Sequence, residues 1–411
     1  MMSQALLDRF RTIRARTEQL CSPLAVDDYQ LQSMPDCSPP KWHLAHTTWF
    51  FETFLLKGFA EGYQPFRPEF GYLFNSYYEA VGERWPRPAR GLLSRPTVEE
   101  VYAYRHAIDR RLLERLETAN ESDWARLAPV LELGLNHEEQ HQELLLTDLK
   151  HAFGLNPLFP RYAEPPLSPR REGTRLRWVR HAEGVRWIGY DGQGFAFDNE
   201  GPRHRVFIDA FQLASRLVTN GEYLEFIRDG GYERPEFWLS DGWATRNRGN
   251  WSAPLYWRQD GSGFALFTLH GLQPLDPAEP VCHVSYYEAD AYARWAGARL
   301  PTEFEWETAV GANPVEGNFL ESGRFHPIGG EIAYGDVWVW TASPYIAYPG
   351  YRPASGALGE YNGKFMCNQM VLRGGSCATP AEHIRVTYRN FFPPDARWQF
   401  SGIRLAKDGS S

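Results

Sequence analysis

The sequence predicts a multi-domain α and α+β protein, a four-helix bundle followed by an irregular mixed domain, and three observations predict it. A chain of 411 residues exceeds the usual size of one domain. Residues 1–153 carry apolar stripes at helical spacing. Beyond a proline-rich stretch the texture changes to short aromatic and β-branched runs, such as VRWIGYDG and MVLRGGS, separated by Gly, Asn, Asp and Pro.

The first helix is expected from about Ser3 to Leu20, and the second follows Pro39-Pro40 through KWHLAHTTWFFETFLL. The third opens on Thr97-Val98-Glu99-Glu100, a capping-box pattern directly after Pro96. The fourth covers roughly Ala128 to Phe153 and stops at Gly154. The long connection from about Lys57 to Arg95, rich in Gly, Pro and aromatics, has the length of a functional loop. Residues 154–176 hold five prolines and read as a linker. Residues 177–411 form the second domain, with helical segments at Asn220–Ile227, Tyr286–Ala296 and near Glu303–Ala309.

A formal charge of -8 argues against a nucleic-acid-binding surface, which needs clustered Lys and Arg. No apolar run reaches the ~18 residues of a membrane span, and the N-terminus lacks the order of a signal peptide. Five cysteines without CxxC spacing favour reduced thiols. The expectation is a cytoplasmic globular protein without nucleic-acid or membrane partners.

The strongest chemical signal is LNHEEQHQELLLTDLKH, residues 135–151. His137 and His141 are four apart in a helix, so both imidazoles share a face within reach of one metal. Glu143 falls about 240° round from His137, away from that face. The third ligand is therefore expected from another helix, where WHLAHTTWFFETF offers His43 and His46; the pattern favours His46. Three histidines do not choose the metal: zinc gives hydrolysis or a structural site, iron gives oxygen chemistry.

At this point the chain resembles a known family. The N-terminal part looks like a DinB-like four-helix bundle with the HxxxHxE pattern His137, His141, Glu143. The C-terminal part is similar to the formylglycine-generating-enzyme-type sulfatase-modifying domain, a C-type-lectin-like fold. The motifs are VTNGEYLEFI, PVCHVSYYEADAYARWAGARLPTEFEWETA, VWVWTASPY, VLRGGSC and SGIRLA. This pairing resembles the ergothioneine-biosynthesis sulfoxide synthases, or hercynine oxygenases. The resemblance implies a non-haem oxidoreductase that uses Fe(II) and O2 to join a cysteine sulfur to the imidazole ring of Nα-trimethylhistidine (hercynine).

It further implies His46, His137 and His141 as iron ligands. Gln140 falls where the family holds the hercynine imidazole, and Arg87 and Arg90 where it binds the carboxylate of the sulfur donor. Near the C-terminus the family places an Asn-Trp-Asp element after an arginine. Here Arg389 is followed by Asn390, Phe391 and Phe392, so Asn390 is retained for the hercynine carboxylate and the acid is replaced by Phe392. That acid helps hold the ammonium group of γ-glutamylcysteine in relatives that use it, so its loss points to free cysteine. The family's proton-donating tyrosine has three candidates in YPGYRPASGALGEYNGKFM: Tyr348, Tyr351 and Tyr361. FNSYYEAVG offers Tyr77 and Tyr78 for the same role.

Other readings stay open: the same reaction with γ-glutamylcysteine, an ovothiol-type synthase acting on histidine, a zinc thiol transferase, and a non-catalytic lectin-like binding module. A formylglycine-generating oxidase is disfavoured, because Cys377 lacks a suitably spaced partner cysteine. Oligomeric state is not encoded legibly.

Overall fold

The computed structural model describes residues 2–59, 62–165, 173–261, 263–353, 359 and 361–409. Two compact units are formed, Met1–Leu158 with Ala354–Tyr361, and Phe159–Pro353 with Asn362–Ser411. Part of the expected linker, residues 166–172, lies outside the described residues.

In the first unit, α1 (Met2–Cys21), α2 (Pro40–Phe51), α4 (Val98–Glu117) and α5 (Glu121–Leu155) form the bundle, and α3 (Phe70–Phe74) is a short helix in the long connection. α1 buries Leu6, Leu7, Phe10, Ile13 and Leu20, the three-and-four spacing of an amphipathic stripe. α2 is buried at all of its residues and continues as a π-helical segment, Glu52–Lys57. Thr97 caps α4 in a reciprocal box with Glu100.

α5 begins seven residues earlier than the sequence suggested. Pro129 suits the first turn of a helix, but here it is interior, and the start is set by Asn120, whose side chain accepts from the Asp123 N–H at 2.9 Å. α5 packs on α1 and α2, and α2 on α4. The α2–α5 approach depends on Gly134: a Cβ there would stand 2.6 Å from a ring carbon of Phe51 and 3.0 Å from one of Phe50.

The acidic run of α5 is not a solvated face. Glu138 is fully buried, receiving Arg14 at 2.8 Å, Arg105 at 2.5 Å and the Thr17 hydroxyl at 2.7 Å. Burial pushes its carboxyl up, but Arg105 and Arg14 outweigh that and hold it down to about 2. One carboxylate thus ties α5 to α1 and α4.

The second unit is a set of small sheets with, among the described residues, four α-helices. The four-stranded sheet runs in the order Asn390–Phe392, Met370–Arg373, Trp338–Pro344, Ser401–Gly402, with the last pair parallel. A three-stranded sheet joins the ends of the unit, with Phe211–Ala214 between Trp178–His181 and Ala406–Asp408. The helices are α6 (Asn220–Arg228), α7 (Ser240–Gly249), α8 (Tyr286–Trp295) and α9 (Glu303–Val310). α7 was not expected, since SDGWATRNRG has no apolar stripe.

α6, α8 and α9 each start on a capping box, at Thr219/Glu222, Ser285/Glu288 and Thr302/Glu305. Each capping glutamate also takes an arginine: Arg216, Arg397 and Arg299. Within RLPTEFEWE, Glu303 receives Arg389 at 2.8 Å and Arg373 at 3.2 Å, and Glu307 receives Arg373 at 2.7 Å. The motif's acids are therefore framework, holding α9 to the strand ends.

Candidate metal centre

α2 presents His46 and α5 presents His137 and His141, one turn after the Gly134 close approach. One ring nitrogen from each lies within 4.8 Å of the other two, and all three side chains are buried. Nε2 of His46 is 3.2 Å from Nε2 of His137. The His46 Nδ1–H donates to the Phe74 carbonyl at 2.6 Å, which can only accept, so the Nε2 lone pair is the one left for a ligand bond.

Burial holds the three imidazoles in their neutral, metal-binding form. His137 is lowered to about 3 by burial. His46 is pushed well below the usual histidine range by burial and then by His137, and His141 by burial, His137 and His46. Neutral imidazoles converging in a buried site fit a divalent metal.

His43, the other histidine weighed from the sequence, is not in this cluster. Its Nδ1 lies 2.8 Å from Nδ1 of His141, and its Nε2 lies 3.1 Å from Oδ2 of Asp148. Glu143 is buried but outside the three-histidine set.

The walls are aromatic. Trp42 stacks on the His46 ring at 4.4 Å and Trp49 at 5.5 Å. Arg90 lies 3.4 Å over Trp42, buried, donating to the Ser38 hydroxyl at 2.8 Å and the Ser76 hydroxyl at 3.2 Å. It makes no ion pair with a described residue, and burial and then Arg87 push its guanidinium well below the usual arginine value. Arg87 is more exposed and donates to the Asp36 carbonyl.

His137 packs on Phe50 at 4.7 Å and on Tyr361 at 5.7 Å. The Tyr361 hydroxyl donates to the side-chain oxygen of Gln140. Tyr77 stacks on Tyr78 at 4.7 Å and meets Tyr361 edge-on at 6.2 Å. Tyr78 is fully buried against Trp49 and Phe54. Of the other tyrosines weighed, Tyr348 donates to Glu303 and Tyr351 to Asp198, both within the second unit.

Asn390, Phe391 and Phe392 form an edge strand of the second unit, paired with Leu372, Val371 and Met370. Phe391 stacks on Tyr345 at 4.0 Å, and Phe392 meets Trp398 at 6.1 Å. Sequence reading missed the partnership of His43 with Asp148. The available signal was spacing: Asp148 follows His141 by seven residues and so shares its helix face.

The DinB superfamily model matches residues 9–145, and that of the sulfatase-modifying factor enzyme 1-like domain matches 177–333 and 328–409. A hercynine oxygenase of Mycolicibacterium smegmatis is 34% identical, covering 98% of this chain and 99% of its own. The chain belongs to the hercynine oxygenase family. A hercynine oxygenase of Mycobacterium tuberculosis is also 34% identical, over 96% of both chains. The ergothioneine biosynthesis protein 1 of Schizosaccharomyces pombe is 27% identical over 52% of this chain and 28% of its own. The chain thus belongs to an oxygenase family and carries a buried three-histidine cluster that could hold a metal ion. Among the described residues no helix is long and apolar enough to cross a membrane.

Proposed function

We propose that this hercynine oxygenase family member joins the sulfur of free cysteine to the imidazole carbon of hercynine, giving hercynylcysteine sulfoxide. The thiol and the ring each give up a hydrogen; one oxygen atom of O2 goes to sulfur and the other leaves as water. His46, His137 and His141 would hold iron(II), which when bound supplies the electrons that activate O2 and a site that favours the thiolate. The observation that carries the reading is the buried trio of neutral imidazoles in a chain alignable with hercynine oxygenases over nearly its whole length.

The residues around the trio suit the remaining tasks. Arg90, a buried cation without a carboxylate partner among the described residues, suits the carboxylate of the amino-acid thiol, with Arg87 nearby. The Tyr361 hydroxyl donates to the Gln140 side-chain oxygen, and the family resemblance assigns Gln140 to the hercynine imidazole. Tyr77, Tyr78 and Tyr361 supply phenols that can deliver a proton to the oxygen leaving as water. From the family resemblance alone, Asn390 and the flanking Phe391 and Phe392 of the second unit are proposed for substrate contact. Phe392 offers no charge to an ammonium group, which supports cysteine over γ-glutamylcysteine.

Turnover with each thiol in the presence of hercynine and O2, with the product identified by mass, tests this reading. A sulfoxide formed faster from cysteine supports it. A strong preference for the dipeptide overturns the thiol assignment, and product only from unmethylated histidine overturns the acceptor.

A further inference from the structure

We propose that His43 and Asp148 are positioning residues that set the tautomer and ring orientation of His141. The inference rests on the reading of His46, His137 and His141 as metal ligands and deepens it. Every member of the chain is buried: Asp148, His43 and His141.

Hydrogen-bond accounting fixes a direction. The Asp148 carboxylate can only accept, so the proton between it and His43 sits on His43 Nε2, 3.1 Å away. The same carboxylate oxygen accepts from the Ser38 N–H at 2.8 Å, which anchors it to the loop entering α2. A neutral imidazole carries one N–H, so His43 Nδ1 is an acceptor. His141 Nδ1, 2.8 Å from it, must then be the donor. A neutral His141 with its proton on Nδ1 has its lone pair on Nε2, the nitrogen left free for the metal. The relay thus runs from carboxylate to imidazole to imidazole, each proton pointing towards Asp148.

The three ligands are held unequally. His46 is backed by one backbone carbonyl, His141 by an imidazole and a carboxylate. His137 Nδ1 has no hydrogen-bond partner among the described residues and is set by ring packing. A carboxylate-backed imidazole is the better electron donor, so His141 is the ligand whose bond most depends on groups behind it.

A purely structural role, pinning α2 to α5, would show in stability alone. The test is therefore metal binding by the full chain, with Fe(II) affinity by anaerobic competition and the visible spectrum of Co(II) as a readout of ligand geometry. His43→Phe, which keeps a ring but no hydrogen bond, is expected to weaken Fe(II) binding about 10- to 100-fold and to change the Co(II) spectrum. His43→Gln can accept from His141 and donate to Asp148, and is expected to recover most of the loss. Glu52→Gln, which disturbs a buried network with Tyr63 and Tyr104 elsewhere in the unit, should lower stability while leaving affinity unchanged.

Wild-type affinity and spectrum in His43→Phe, alongside lost binding in His137→Ala, overturn the relay alone. A loss in His43→Phe no larger than in an equally destabilised Glu52→Gln protein also overturns it. Undiminished binding in His137→Ala overturns the ligand reading, and the relay with it.

Discussion

The hydroxyl of Tyr361 donates to the side-chain oxygen of Gln140, across a sequence separation of 221 residues. Its ring packs on His137 and faces Tyr77. Removing the hydroxyl takes one hydrogen bond from the Gln140 amide, so Tyr361→Phe is expected to raise KM for hercynine about 5- to 10-fold, the worth of one buried hydrogen bond. Steady-state kinetics at saturating thiol, with sulfoxide and oxidised thiol quantified separately, check this. An unchanged KM and product ratio would detach Tyr361 from the site.

Arg90 gives the second prediction. It is held in place by Ser38, Ser76 and the face of Trp42, with no ion pair among the described residues. Arg90→Leu should therefore leave the fold intact and raise KM for the thiol about 10- to 100-fold, as for loss of a charged hydrogen bond. Hercynine KM should move far less. Equal effects on both substrates would count against a thiol-carboxylate role.

Glu138 sits beside His137 in sequence but points to Arg14, Arg105 and Thr17. Glu138→Ala takes one of two carboxylates from each of two buried arginines, Arg14 keeping Asp109 and Arg105 keeping Glu18, and should cost about 1.5–3 kcal/mol of stability. Urea unfolding measures it. A change under about 1 kcal/mol would show that the network contributes little beyond packing.

The metal-free protein should lose stability as pH falls below about 6.5. His46, His137 and His141 all have lowered folded-state values, that of His137 about 3, so between that value and 6.5 the unfolded chain binds more protons than the folded one. The stabilisation is complete above the unfolded value and fades as pH drops towards the folded one. Each histidine can contribute up to about 1.4 kcal/mol per pH unit in that window. Denaturation in chelator at pH 7.5, 6.5 and 5.5 tests the sign; stability that is flat or rising towards pH 5.5 contradicts it.

Much of this was legible in the chain because it depends on short-range geometry. The four-residue spacing of His137 and His141, the capping box at Thr97, and the texture change near residue 177 all report local rules. The backing of His141 was not legible. It depends on how closely α2 and α5 approach, which Gly134 and the rings of Phe50 and Phe51 decide. Tyr361 was one of three candidates because sequence alone cannot say which tyrosine hydroxyl is consumed by the framework; Tyr348 and Tyr351 are taken by Glu303 and Asp198. The early start of α5, at Glu121 instead of about Ala128, was not legible, because the helix runs on N-terminal to an interior Pro129.

Metal content and oxygen uptake after anaerobic iron loading, on the wild-type chain and on His46→Ala, His137→Ala and His141→Ala, decide whether the three histidines hold a catalytic iron. Stoichiometric iron is expected, with O2 consumed only when cysteine and hercynine are both present and sulfoxide formed in step, all lost in each variant. Tight zinc in place of iron with no O2 uptake, or full activity in any one of the three variants, would contradict it.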